Sequence, residues 1–342
     1  MKDASIDFVI PWVDGGDPEW RREKAVYSEE VKDAPLARWV DGEQRYRDWG
    51  LLKYWFRGVE KFAPWVNRVH FITWGHLPPW LNADHPKLHI VNHRDYIPEK
   101  WLPTFSSRCI ELNIHRIEGL ADQFVYFNDD MYLTAPVKPT DFFRKGLPCD
   151  SAIISPIHLK QNGVRAEINA MYTVNEFFRK RDVLLKDPLK WFSPWYGAAL
   201  VRTLTQLPFG LFTGFYIHHL PVSYLKSTFE EVWRRIPEVL VRTCSHRFRD
   251  DGDVNQWIMQ FWQYCMGRFM PRNPKIGTMY EGAVRIDAAV SDISHGAHRL
   301  VCWNDADDFG VDFKTACKRI ATAFNLLLPD RSNFETGAES GE

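Results

Sequence analysis

The sequence predicts an α/β fold, with a largely parallel, Rossmann-like sheet and covering helices followed by a mainly helical C-terminal part. Helical apolar spacing separates several short apolar runs in the first 141 residues, and helical patterns predominate after that point. The runs with strand character are residues 6–10, 69–74, 88–91 and 124–127. Runs that alternate with helices in this way are typical of a parallel sheet.

We predict that residues 1–145 form the α/β part and that residues 146–336 complete the same site, with a disordered tail at residues 337–342. A single continuous catalytic domain is the alternative to this division. At 342 residues, the length alone agrees with one large unit or two medium ones.

The first strand, residues 6–10, breaks into the turn Asp14-Gly15-Gly16-Asp17-Pro18. The backbone N–H groups of such a Gly-rich loop can approach a phosphate or a base, although an ordinary surface turn explains the pattern equally well. The sequence lacks Gly-x-Gly-x-x-Gly and so gives no support for a dinucleotide fingerprint. A helix follows over residues 46–64, with Arg47 and Asp48 among its charged positions.

A second amphipathic helix is predicted after Ser106, because Ile110, Ile114, Ile117 and Ala121 recur at helical spacing. Its other face carries one row of ionisable side chains, which are Arg108, Glu111, His115 and Glu118.

The apolar run at residues 124–127 ends on Asn128-Asp129-Asp130, which places two carboxylates at the carboxyl end of a buried strand. Ligands bind at that edge of open α/β sheets. Two carboxylates and an amide oxygen suit Mg²⁺ or Mn²⁺, which phosphate oxygens of a nucleotide diphosphate sugar would complete. A plain turn is the commoner explanation of an isolated Asn-Asp-Asp, but the buried strand favours a metal site.

Two later motifs also contain residues that could bind a ligand or take part in catalysis. His218 and His219 precede Pro221 and a predicted helix over residues 227–236, where a histidine can ligate a metal or accept a proton. Arg247 and Arg249 precede a helix over residues 255–266, a position that suits a phosphate. Structural histidines and ion pairs with the neighbouring aspartates are the alternatives.

Composition narrows the function further. The formal net charge of −1 gives no electrostatic case for nucleic acid, and fifteen Trp weigh slightly towards carbohydrate. Six scattered cysteines indicate reduced thiols of a cytosolic protein. The N-terminus lacks the apolar segment of a signal peptide, so we expect a cytoplasmic protein, with peripheral attachment to the inner face of the membrane left open.

Several motifs together resemble the Stealth family, which contains bacterial capsular polysaccharide phosphotransferases and the lysosomal-enzyme N-acetylglucosamine-1-phosphotransferase of animals. The segments similar to its four conserved regions are residues 6–15; residues 46–48, 59–65, 102–107, 115–120 and 127–130; residues 219–221; and residues 249–254. Residues 332–335 resemble a common bacterial ending. Arg108 and Cys109 replace the Pro-Ala of the animal enzyme, which puts acceptor contacts in doubt.

The resemblance implies a nucleotide-sugar transferase-like fold and transfer of a sugar 1-phosphate from a UDP-sugar to a glycan hydroxyl. This reaction would release UMP, require a divalent cation, Mg²⁺ or Mn²⁺, and serve capsule or exopolysaccharide synthesis. The matching active-site positions are Glu111, Asp129, Asp130, His219 and Arg249, with metal ligation by Asp130, His219 and Asp129. Expected substrate-binding positions are Asp7, Trp12, Asp14, Gly15, Arg47, Arg108, His115 and Asn128.

Three other functions stay open from the sequence. A metal-dependent glycosyltransferase would release UDP, a phosphodiesterase would need no acceptor, and a sugar-binding protein would leave the acidic motif without a purpose. The expected partners are a UDP-sugar, a capsular polysaccharide or oligosaccharide acceptor, and a membrane capsule-assembly complex. The general base is either Glu111 or Asp129.

Overall fold

The structure is a computed structural model that describes residues 5–29, 46, 48–159, 164–281, 285–304 and 312–337. The predicted Arg47 and residues 338–342 of the predicted tail lie outside these described residues. The strands are β1 Ile6–Pro11, β2 Val69–Thr73, β3 Leu88–Asn92, β4 Gln123–Tyr126, β5 Met131–Leu133, β6 Phe143–Arg144, β7 Leu147–Asp150, β8 Val222–Leu225, β9 Met270–Pro271, β10 Gly277–Glu281 and β11 Leu300–Asn304.

Helices dominate the later part of the chain, as predicted. In chain order they are α1 Pro18–Ser28, α2 Leu52–Phe62, α3 His93–Tyr96, α4 Ser107–Leu112, α5 Pro139–Phe142, α6 Val164–Phe177, α7 Lys180–Lys186, α8 Pro188–Trp191, α9 Leu200–Thr205, α10 Lys226–Arg235, α11 Pro237–Ser245, α12 Trp257–Cys265, α13 Ile286–His295 and α14 Phe313–Leu327. Short 3₁₀ turns lie at Glu99–Trp101, Ile114–Arg116, Pro194–Ala199 and Pro274–Ile276.

The central sheet has five strands in the order β3-β2-β1-β4-β8. The pairs β1–β2, β1–β4 and β2–β3 are parallel, and β8 runs antiparallel to β4. Strands β1 and β2 are buried almost throughout, as expected of a parallel sheet with both faces covered. The predicted largely parallel α/β fold is therefore confirmed. The carboxyl ends of β1 and β4 meet at the edge where Asn128-Asp129-Asp130 follows.

The later half of the chain completes the layers that the first half begins. Strand β11 lies between β10 and β5, and β8 forms one edge of the central sheet. Near the C-terminus, Glu335 attaches to helix α2, because the Arg57 guanidinium donates to both of its carboxylate oxygens, at 2.8 and 2.7 Å. Helix α2 packs closely on β5, because a Cβ at Gly58 would lie 2.8 Å from the carbonyl oxygen of Leu133.

One predicted helix starts later than expected. The helix predicted over residues 46–64 begins at Leu52, because Gly50 adopts a φ of +67° that ends any helical path before it. Beyond β7, an isolated antiparallel bridge joins Ile154 and Phe215. Five of the six cysteines are buried as free thiols, in line with the expectation of reduced cysteines: Cys109, Cys149, Cys244, Cys265 and Cys302.

Candidate active site

Asp130 and His219 face each other just beyond the carboxyl end of β4. The Oδ2 atom of Asp130 lies 3.5 Å from Nε2 of His219. Within the described residues, Oδ1 of Asp130 is buried and has no hydrogen-bond partner. Burial lowers the pKa of His219, but the Asp130 carboxylate outweighs this effect and the net pKa is raised. In its neutral form, His219 offers an imidazole nitrogen next to the Asp130 carboxylate, and this donor pair fits a divalent cation that would replace the imidazole proton.

Cys302 is the third member of this cluster. Antiparallel pairing of β11 with β5 places it opposite Met131, and potential ligand atoms of Cys302, Asp130 and His219 lie within 4.8 Å of one another. Burial and the Asp130 carboxylate raise the pKa of the Cys302 thiol well above its usual range, so the thiol stays protonated. A protonated thiol is a poor ligand for a hard cation, so Asp130 and His219 are the better donors. Sequence reasoning missed Cys302 because strand pairing alone brings it here.

A group of carboxylates extends outwards from Asp130. Loss of solvation and repulsion from Asp130 and Asp48 raise the pKa of Asp129 to about 7, although its side chain keeps contact with solvent. Partial loss of solvation among its neighbours, followed by a weaker repulsion from Asp14, also raises the pKa of Asp48, although the residue itself is exposed. Repulsion among carboxylates is relieved by a bound cation, so this group fits the predicted metal. The sequence predicts only a charged helix position at Asp48, not a member of the site. Its place beside Arg47 in the second conserved region is the feature that could have indicated a role in the site.

Glu111 is buried beside Tyr126 at the end of β4. The Tyr126 hydroxyl donates to Oε1 of Glu111 at 3.3 Å. Across the described part of the chain, Oε2 of Glu111 is buried without a hydrogen-bond partner. Burial is the main cause that raises the pKa of Glu111 to about 7. A carboxyl group with this pKa can exchange a proton near neutral pH.

Arg249 reaches the same region through Ser107. Its Nη2 atom donates to Oγ of Ser107 at 2.8 Å, and Ser107 is one of the groups that limit the rise in the pKa of Glu111. Arg108, by contrast, donates to the Asp253 carboxylate at 3.0 Å and to the carbonyl oxygen of Asp250 at 2.6 Å. Arg108 therefore fastens the loop that carries Arg249, and its expected substrate contact stays a prediction beside this positioning role.

The ionisable row predicted along one helix is wrong. Helix α4 ends at Leu112, and a separate 3₁₀ turn, Ile114–Arg116, changes the direction of the chain. His115 packs against Phe229 and Trp233 with ring centroids 5.9 Å apart in both pairs, and burial lowers its pKa to about 3. His115 is thus a neutral packing residue in this structure, and its expected substrate contact stays a prediction.

Asp7 also has a structural role. Its side chain is fully buried within β1. The carboxylate accepts hydrogen bonds from the Asn67 amide at 2.7 Å and the Ala121 backbone N–H at 2.8 Å, and lies 3.0 Å from His70 Nε2. These partners engage both oxygens and give Asp7 a structural role, while its expected substrate contact stays a prediction.

The predicted first loop lies at the carboxyl end of β1. The Trp12 ring stacks on Phe71 at a centroid distance of 5.7 Å, and the Asp14 backbone N–H donates to His76 Nε2 at 2.7 Å. A Cβ at Gly15 would lie 2.0 Å from the carbonyl oxygen of Tyr46, so this close packing requires glycine.

Asn128 follows β4, the parallel neighbour of β1 in the central sheet. Its side chain is half-buried, and its backbone N–H donates to Sδ of Met131 at 3.4 Å. Asn128 and the loop that contains Trp12, Asp14 and Gly15 therefore lie at the same edge of the sheet, where a substrate can reach both.

No described helix combines the length and the apolar character that crossing a bilayer requires. The solved structures include a galactosyltransferase in complex with donor and acceptor sugar analogs, aligned with a TM-score of 0.40 and 12% identity over 93% of this chain and 95% of that one. A likeness of this size carries no argument about activity.

The sequence comparisons are much closer. Residues 4–32 match conserved region 1 of the Stealth proteins, and residues 45–149 match conserved region 2. A capsular polysaccharide phosphotransferase of Streptococcus pneumoniae is 37% identical over 96% of this chain and 98% of its own length. A receptor polysaccharide phosphotransferase of Streptococcus oralis is 41% identical over 96% of this chain and 99% of its own. The chain therefore belongs to the Stealth family, together with these bacterial polysaccharide phosphotransferases.

Proposed function

We propose that this protein transfers a sugar 1-phosphate from a UDP-sugar to a glycan hydroxyl and releases UMP, in the synthesis of a capsular or extracellular polysaccharide. One observation carries the proposal: Glu111, Asp130, His219 and Arg249 come from four separate segments and converge beyond the carboxyl end of β4. Family membership and the relatives that are polysaccharide phosphotransferases support the same class of reaction. In this proposal residues 1–145 and 146–336 act as one catalytic unit.

Asp130 and His219, helped by Asp129, would hold the Mg²⁺ or Mn²⁺ ion. When bound, such an ion would neutralise the diphosphate and stabilise the leaving UMP. The unpartnered Oδ1 of Asp130 and the raised pKa of Asp129 support this assignment.

The donor would lie against Trp12, Asp14, Gly15 and Asn128 at the same edge of the sheet. In the transfer step, the acceptor hydroxyl oxygen attacks the phosphorus that carries the sugar. The bond from that phosphorus to the bridging oxygen breaks, and UMP leaves with the oxygen.

Glu111 would accept the proton of the acceptor hydroxyl, because its buried carboxyl group has a pKa of about 7. Asp129, which has a similar pKa, is the alternative base. Arg249 would compensate the negative charge on the transferred phosphoryl group, since a guanidinium binds phosphate oxygens in a fixed geometry.

We place the acceptor glycan in an open groove of about 950 Å³ that begins at His218, next to His219. Trp195 and Tyr216 line it and expose 54% and 39% of their surfaces, which suits stacking on sugar rings. Arg202 also lines the groove and lies 4.7 Å from the centroid of the Tyr216 ring. Peripheral association with a membrane-bound capsule assembly is part of the same proposal.

The test is to incubate the protein with a panel of UDP-sugars, an oligosaccharide of the producing strain and Mg²⁺ or Mn²⁺, and to identify the released nucleotide. Acceptor-dependent UMP, together with a phosphodiester in the ³¹P NMR spectrum of the product, would support the proposal. Release of UDP would replace it with glycosyl transfer, and UMP release without any acceptor would indicate a phosphodiesterase. Asp130→Asn tests the site, with the exposed Asp84→Asn as its matched control.

A further inference from the structure

Exposed apolar side chains are concentrated in one region of the chain. Among the described residues, seventeen large apolar side chains are exposed, and thirteen of them lie between positions 159 and 216. Single exposed apolar residues are normal on a protein surface, but a concentration of them marks a surface that binds something. Eight belong to one stretch of the chain, and these are Leu185, Leu189, Trp195, Val201, Leu204, Leu207, Phe209 and Leu211.

This exposure belongs to a well-anchored segment. Buried residues alternate with the exposed ones and attach the segment to the core, and these anchors are Leu184, Trp191, Tyr196, Thr203 and Phe212. Trp191 contributes a completely buried ring that stacks near Phe215 at 6.1 Å. The exposed apolar residues therefore belong to a segment that buried neighbours hold in place.

A buried lysine holds the end of this segment. The Lys180 ammonium, whose residue is 3% exposed, donates to the carbonyl oxygens of Gln206 at 2.6 Å, Leu211 at 3.5 Å and Phe209. These carbonyl groups turn inwards to Lys180, and the side chains of Phe209 and Leu211 are 54% and 60% exposed.

The charge of the segment differs from that of the whole chain. Residues 179–211 contain six Lys and Arg against two Asp, whereas the full chain has a formal net charge of −1. One of the two aspartates, Asp187, is paired with Lys190 at 2.8 Å. Four of the cations in this stretch are exposed: Arg179, Arg181, Lys186 and Arg202. A segment that combines exposed apolar residues with exposed cations complements a bilayer surface with anionic headgroups.

We propose that residues 179–211 dock the protein onto an anionic lipid bilayer, with Leu189, Phe209 and Leu211 inserted at the interface. Trp195 and Arg202 belong both to this segment and to the groove that begins at His218. Docking would therefore turn the mouth of the groove towards the membrane surface. The inference depends on exposure and charge, so it can hold even if the proposed chemistry fails.

The experiment is co-sedimentation of the purified protein with vesicles of phosphatidylcholine alone and of equal parts phosphatidylcholine and phosphatidylglycerol. We expect binding to the anionic vesicles that weakens as salt is raised. The triple variant Leu189→Ser, Phe209→Ser, Leu211→Ser should lose at least about tenfold in partitioning, because its inserted apolar area is removed. The matched control is Leu326→Ser, which replaces a leucine that is 69% exposed on α14. Circular dichroism and nucleotide release with a soluble acceptor should be unchanged in both variants.

Equal partitioning of the triple variant and Leu326→Ser, or no binding of the native protein to anionic vesicles, would overturn the inference. Sedimentation equilibrium tests the competing occupant, a second copy of this chain. The docking inference would also be overturned if the native protein does not bind vesicles but forms a dimer that the triple substitution dissociates. Vesicle binding without UMP release would instead refute the proposed reaction and leave the docking surface in place.

Discussion

Replacing Glu111 by Gln should separate catalysis from stability. Burial raises the pKa of Glu111 from 4.5 to about 7, so the folded protein resists ionising a group that the unfolded chain ionises readily. The contribution of this carboxyl group to the free energy of unfolding is fully present at pH values below its pKa in the unfolded chain. This contribution is lost as the pH rises through its pKa in the folded protein. The difference corresponds to roughly 3 kcal/mol above neutral pH, because one pKa unit is about 1.4 kcal/mol.

Gln cannot ionise, so Glu111→Gln should increase the free energy of unfolding at pH 8 by up to about 3 kcal/mol and have little effect at pH 4. The same substitution should lower kcat by roughly 10²- to 10⁴-fold, the usual contribution of a general base. If Glu111 is the base, kcat/KM of the native enzyme should rise through about pH 7, and the substitution should remove that rise.

Urea unfolding of the metal-free protein at both pH values, and kcat/KM from pH 5 to 9, are the two measurements. Glu230→Gln, on the exposed side of α10, is the matched control and should change neither. A variant that keeps its pH-dependent activity would transfer the role of base to Asp129. A variant that is no more stable at pH 8 than the native protein would refute the argument from burial.

Three further outcomes are expected. Asp130→Asn should lower turnover by several orders of magnitude and weaken Mn²⁺ binding measured by calorimetry, with an unchanged melting temperature and a normal Asp84→Asn control. Arg249→Lys should lower kcat by roughly 10²-fold in the nucleotide-release assay, because an ammonium cannot make the bidentate phosphate contact, whereas Arg235→Lys on exposed α10 should be neutral. Trp195→Ala should raise KM for the acceptor several-fold and leave KM for the UDP-sugar unchanged, since its ring lines the groove away from the donor loop.

Local sequence patterns were sufficient for the four parallel strands of the central sheet and for its proposed functional edge, but not for the antiparallel strand β8. Residues 124–127 form an apolar run, and its composition alone predicts that it is a buried strand. Asp129 and Asp130 come directly after this run in the sequence, so they lie at the end of the strand. The same reasoning failed along residues 106–121, where helical spacing continues past the actual end at Leu112. The chain turns there because His115 packs against Trp233 and Arg108 pairs with Asp253, contacts with residues more than a hundred positions away. Periodicity carries no information about such partners.

The conformation of His219 connects the fold to the proposed chemistry. It has a φ of +46°, one of two positive values among the described non-glycine residues, and such a conformation costs about 1–3 kcal/mol unless its surroundings impose it. The chain before His219 is fixed by the Ile154–Phe215 bridge, and the chain after it enters β8 beside β4. Between these two attachments, the left-handed residue lies with its imidazole next to Asp130. We infer from this strain that the sheet edge holds the Asp130–His219 pair for a purpose, so the pair supports the proposed site more strongly than the acidic turn does by itself.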